Sequence, residues 1–279
     1  SEITVKDILH YRDRLLNHAV PYLFAIGNVS DNTLADLYAK VKPKGQHQST
    51  FTPVEPMRIV KQRLAKLEQK AASTDNALAM IYLSRESDEM TSKANSTLLA
   101  KIIAPWFYQQ LRSEEQLGYA VFNFSVNIGQ SYGLAFLIQS NQYDAMHLYQ
   151  RYTAFYPTVF MRLNALSEAE FEQYKQGAIS ELQQAPQTLN EEMDRYLVDF
   201  MKSIFTFDSR QKLIAQISHT TRSQLIQFYQ DTILDKDGLV LASIVLGKDH
   251  EINGEQSFSD YTSYNNASTL QKTLLADKE

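Results

Sequence analysis

Cysteine is absent from all 279 residues, which excludes disulfides, thiolate zinc sites and cysteine nucleophiles. That absence is compatible with either redox compartment and selects neither. No apolar run approaches the ~20 residues of a membrane span, and no signal-peptide pattern opens the chain. An excess of positive charge is also missing: the net charge is −5 and the pI about 5.7. Nucleic-acid and membrane partners are therefore not expected. Neither H-E-x-x-H nor its inverse H-x-x-E-H occurs, and the six histidines are scattered. Asp7-x-x-His10 and Asp144-x-x-His147 have helical spacing, but two weak ligands do not make a metal site. G-x-S-x-G, the P-loop and G-x-G-x-x-G are lacking as well. The chain alone is expected to hold no metal.

What is present is a globular composition, 44% hydrophobic and 21% charged, enough for a sizeable core. Ile8, Leu9, Leu15 and Leu16 mark an amphipathic helix over 3–19. Tyr22 to Ile26 reads as a short strand, and Ser30 as the N-cap of a helix to about Val41. This helix–strand–helix unit is too small for its own core. Residues 1–45 are therefore assigned as the closing elements of a preceding α/β domain, and the proline-bearing stretch 46–57 as a linker. Ser1 in place of Met is expected of a piece of a longer polypeptide.

Residues 58–86 predict two strands, and 89–111 a long helix with Leu98, Leu99, Ile102, Ile103, Trp106, Phe107 and Leu111 on its buried face. Strands at 119–127 and 133–140 follow, with a turn at Gly129. Helices are expected at about 144–163, 168–184, 190–205, 209–217 and 221–234. Pro157 is a candidate kink in the first, and Ser167-x-x-Glu170 and Thr221-x-x-Gln224 have capping-box spacing. LVLASIVL, 239–246, predicts a central strand. The fold class is α+β: an antiparallel-rich sheet with helices layered on one face. The main domain spans 58–250 and a polar tail 251–279.

One segment stands out, Leu111 to Val121: a helix end, a glycine break at Gly118, and a strand opening on Tyr119. Alternation puts Ala120, Phe122, Phe124 and Val126 on one strand face and Tyr119, Val121, Asn123 and Ser125 on the other. With helices over the apolar face, Tyr119 looks out from the open side near Arg112. A phenol and a guanidinium there suit a peptide carbonyl or an oxyanion. The bland alternative is a helix-terminal cation and a half-buried strand aromatic. The adjacent carboxylates Glu114 and Glu115 read as a solvated helix face.

LRSEEQLGYAVF (111–122) followed by GLAFLIQS (133–140) resembles the C-terminal half of the pitrilysin–insulysin family of zinc metallopeptidases. The likeness extends over roughly residues 1–250, and the L-R-x-x-x-Q-L-G-Y core is specific. The resemblance implies four homologous α/β domains in two bowl-shaped halves around a chamber, with zinc, its ligands and the general base in the first domain. It makes 58–250 the fourth domain, with Arg112 and Tyr119 as its catalytic and substrate-binding residues; Asn123, on the same expected strand face as Tyr119, is read as a further substrate contact. It further implies zinc in the parent but none in this chain, and an N-terminal zinc-bearing half and peptide substrates as partners. The chain alone is then inactive and self-associates through its orphaned face, and likeness to bacterial members implies the periplasm. The alternative is a non-catalytic structural or partner subunit of the same family.

Overall fold

The computed structural model describes residues 3–18, 22–41, 64–249, 258, 260–264 and 266–274. The linker 46–57 and residues 251–257, 259, 265 and 275–279 of the tail lie outside them.

Helix α1, Val5–His18, opens on a reciprocal cap: Asp7 accepts from the Thr4 N–H at 2.9 Å and the Asp7 N–H returns to Thr4 Oγ1 at 3.3 Å. Helix α2, Asp31–Val41, has Ser30 as its cap, accepting from the Thr33 N–H at 3.2 Å. Between them 22–26 forms no strand, contrary to the reading of Tyr22–Ile26. Among the described residues no strand pairs with it; Phe24 instead stacks on Phe200 and Phe207, centroids 5.0 and 5.8 Å away.

The next elements are β1 (Leu64–Lys70), β2 (Asn76–Leu83), α3 (Glu89–Phe107), β3 (Ala120–Ile128) and β4 (Ser131–Ser140). Four helices follow: α4 (Ala145–Ala165), α5 (Glu168–Gln183), α6 (Leu189–Met201) and α7 (Ser209–His219). The chain then forms α8 (Arg222–Tyr229), β5 (Leu239–Leu246), β6 (Thr262–Tyr264) and α9 (Ala267–Leu274). They divide into two compact units, Ser1–Glu55 with Gln184–Ser209, and Pro56–Gln183 with Arg210–Glu279. Helix α6 thus falls in the first unit, where Leu189 lies against Gly27.

The second unit is built on a sheet of order β3-β4-β2-β5-β1-β6. β5 lies inside it, antiparallel to β2 and parallel to β1, as its unbroken apolar sequence demands. The β2–β4 and β3–β4 pairs are antiparallel too, so the antiparallel-rich α+β class holds. One core joins Leu98, Ile102 and Phe107 of α3 and Tyr152 and Phe155 of α4 to Leu78, Phe136 and Ile244 of the sheet. The Tyr152 hydroxyl, deep in that core, donates to the Leu78 carbonyl at 2.9 Å, which removes the cost of burying it. Helix α4 runs through Pro157 unbroken, because buried Phe155, Tyr156 and Val159 hold both sides of the missing N–H to the core. Both capping boxes form, Ser167 with Glu170 and Thr221 with Gln224. On the other sheet face a smaller cluster, Leu83, Leu239, Leu241 and Tyr264 with Leu270 of α9, covers one end. The remainder of that face stays open around Phe122 and Phe124, which are 47% and 42% exposed.

Candidate functional site

The segment between α3 and β3 departs from regular geometry at each step. The α-helix ends at Phe107, two residues after Pro105, and the chain continues as a π-helix over Tyr108–Glu114. Such wide turns concentrate at functional sites. The predicted helix to Leu111 is thus wider at its end than its periodicity says. The Glu115 N–H reaches back five residues to the Gln110 carbonyl at 2.9 Å, and the Leu117 N–H to that of Leu111 at 3.0 Å. Gln116 takes φ 52° to close this turn, a left-handed conformation costly for a residue with a side chain. Leu117, 2% exposed, then pins the chain into the core.

Glu115 is not a solvated face residue. It accepts both arms of the Arg151 fork, at 2.7 and 2.8 Å, and a Gln110 amide N–H at 3.1 Å. The Arg151 hydrogen bonds hold its carboxyl below the usual range. The turn is thereby tied to α4 by a paired, partly buried ion pair. Glu114 remains exposed.

Gly118 passes directly over β4. A Cβ on it would lie 2.1 Å from the Gln139 carbonyl oxygen, a distance no side chain tolerates. The close passage lets the Tyr119 N–H donate to that same carbonyl at 3.2 Å. Tyr119 is 52% exposed. Its hydroxyl donates to Asp75 Oδ2 at 2.9 Å, and the Gln139 side-chain amide donates to the same oxygen at 3.2 Å. The three residues meet where β2 and β3 begin and β4 ends. Partial desolvation and the Asp75 carboxylate push the Tyr119 phenol up from its ordinary pKa, so it is protonated at neutral pH and able to donate.

Arg112 lies within the π turn, half-buried, and its guanidinium makes no hydrogen bond or ion pair to any described residue. No hydrogen bond joins it to Tyr119, whose partner is Asp75.

The faces of β3 are the reverse of those expected. Val121, 3% exposed, packs in the core opposite Ile138, while Phe122 and Phe124 face outward with their rings 6.0 Å apart. Alternation separates two faces but does not say which one helices cover. Here α3 covers the more polar one: the Asn123 amide N–H donates to the Ala100 carbonyl of α3 at 3.0 Å. Asn123, read above as a substrate contact on the open side, is therefore turned toward the helix layer, and it is the expected face that is corrected. Tyr119 escapes the rule because it precedes the first ladder residue, Ala120.

Among the described residues no group of three His, Asp or Glu side chains could hold a metal ion. Asp144 caps α4 by accepting from the His147 N–H at 2.7 Å, and the His147 ring stacks on Tyr143. Asp7 likewise accepts from Thr4. Both Asp–His spacings are thus helix starts. Asp75 and Gln139 went unread in the sequence: Asp75 meets Tyr119 across 44 residues, and no local pattern marks it.

Residues 98–197 match the family model described as PQQ synthase PqqF-like, C-terminal lobe domain 4. Protease 3 of Escherichia coli (strain K12) is 38% identical over 276 residues, which are 98% of this chain and 28% of the relative. The A-factor-processing enzyme of Saccharomyces cerevisiae is 32% identical over 144 residues, 52% of the chain and 14% of that enzyme. The crystal structure of pitrilysin superposes with a TM-score of 0.86 at 36% identity, covering 98% of this chain and 29% of that one. The chain thus spans under a third of the length of Protease 3 and of pitrilysin.

Proposed function

This chain belongs to the pitrilysin–insulysin family of peptidases as a C-terminal part, and we propose that it completes the active site of a zinc metalloendopeptidase whose metal is held by a separate N-terminal half. The observation that carries the reading is the built presentation of Tyr119: a π turn, a left-handed Gln116 and a glycine lying on β4 place one protonated phenol at an exposed sheet end. Zinc in the other half supplies activation of water and polarisation of the scissile carbonyl. This chain's part is to bind and orient the peptide. The Tyr119 hydroxyl leaves Asp75 for the oxygen on which negative charge develops, and the Arg112 guanidinium, without a partner among the described residues, takes a substrate carbonyl or carboxylate. Residues 58–250 serve as the terminal domain and chamber wall, and 1–45 as closing elements of the domain before it. The substrates are peptides and small proteins, and the periplasm is the compartment that the resemblance to the family's bacterial members implies. Among the described residues no helix is long and apolar enough to cross a membrane.

The first unit supports the need for a partner. Val5, Ile8, Leu9, Leu15 and Leu16 of α1 are all at least 44% exposed, an apolar stripe of the kind that marks an interface. The chain alone should self-associate through it. Mixed with a zinc-bearing N-terminal half of a relative such as Protease 3, it should form a one-to-one complex by sedimentation, with α1 amides slowed in hydrogen exchange. A monodisperse monomer that ignores that half would overturn the assignment.

A further inference from the structure

The carboxylate at the sheet end is only half used. Both of its donors, the Tyr119 hydroxyl and the Gln139 amide, go to Oδ2, and Oδ1 of Asp75 has none among the described residues. None of the Lys, Arg or His side chains among the described residues pairs with it. Asp75 is half-buried, so its charge is partly withdrawn from water without a counter-ion, which is unfavourable unless something brings one. With both donors on one oxygen, the other is left as a charge-assisted acceptor without a donor among the described residues. The exposed Tyr119 ring beside it offers a face that also favours cations.

We propose that Asp75 and Tyr119 form a subsite for a cationic side chain, Lys or Arg, of a peptide substrate. This deepens the reading of Tyr119 given above and rests on it for the word substrate. It also connects binding to chemistry. A phenol has one proton, and in the resting structure that proton is committed to Asp75. A guanidinium or ammonium arriving at Oδ1 neutralises the carboxylate, which weakens Oδ2 as an acceptor and loosens the hydroxyl to turn to the scissile oxygen. Peptides with a basic residue are then both anchored and activated.

The test uses the chain itself and two N-acetylated, C-amidated hexapeptides differing at one central residue, arginine in one and its uncharged isostere citrulline in the other. Dissociation constants are read from NMR shifts. The arginine peptide should bind about tenfold tighter, the gap should vanish in Asp75→Asn, and it should persist within about twofold in Tyr119→Phe. Equal affinities in the unaltered chain overturn the subsite, as does a gap that survives Asp75→Asn or is lost with Tyr119→Phe. Should Asp75→Asn not fold, salt decides: a gap made by charge should shrink below about threefold in ~0.5 M NaCl, and an unchanged one refutes the proposal. Failure here is separate from failure of the oxyanion role, which is read from turnover of Tyr119→Phe in the assembled enzyme.

Discussion

Tyr119→Phe, in the enzyme assembled from this chain and its zinc-bearing complement, is expected to lower kcat by about 10²–10³-fold, or roughly 2.7–4 kcal/mol of transition-state stabilisation. The substitution keeps the ring and removes one O–H. KM should move by less than about threefold, because a donor aimed at developing charge acts in the transition state more than in the bound peptide. Folding should be nearly untouched. The bond lost is to Asp75 at an exposed sheet end, where water can replace it, and the backbone bond from Tyr119 to Gln139 remains. Steady-state kinetics with a quenched fluorescent peptide measures this, with thermal melts as the control. A loss below about threefold would remove Tyr119 from the mechanism.

Gly118→Ala should act by a different route, on stability and geometry together. Its Cβ would be placed 2.1 Å from the Gln139 oxygen and 2.9 Å from the carbonyl carbon. Both are backbone atoms of a strand paired on both sides, so neither can move aside cheaply. The conflict must be relieved by lifting the start of β3, which breaks the Tyr119 N–H bond to Gln139 and carries the phenol away from Asp75. Overpacking of this kind costs about 1–3 kcal/mol, and the backbone contact puts it at the upper end. The melting temperature should fall by roughly 6–12 °C, and kcat should drop with it even well below the transition. A melt within about 1 °C of the unaltered chain would show that Gly118 is not clamped on β4.

How much of this was legible in the sequence follows from the range of the forces involved. β5 was readable to the residue because a buried strand needs apolar side chains on both faces, and LVLASIVL has them. The two capping boxes were readable because both partners lie within four residues. The π turn was not: the residues at its wide end, Arg112 to Glu114, have no pattern that separates them from an α-helix, and what steadies the turn is Arg151, 36 residues away. β3 was found but turned over: its more apolar face, with Phe122 and Phe124, is the one left open, and α3 covers the face that carries Val121 and Asn123. The strand expected at 22–26 failed because a strand is a property of a pair. Tyr119 and Arg112 stood out through their family motif, yet the contact that orients Tyr119, Asp75, is invisible without the sheet.

The measurement that bears most directly on the central claim is zinc-dependent peptide hydrolysis by this chain alone, by a zinc-bearing N-terminal half alone, and by the two mixed. The account predicts silence from each part and activity in the mixture that disappears on chelation and returns with zinc. Sustained activity from this chain by itself would contradict it, and so would an inert mixture in which the complex has demonstrably formed.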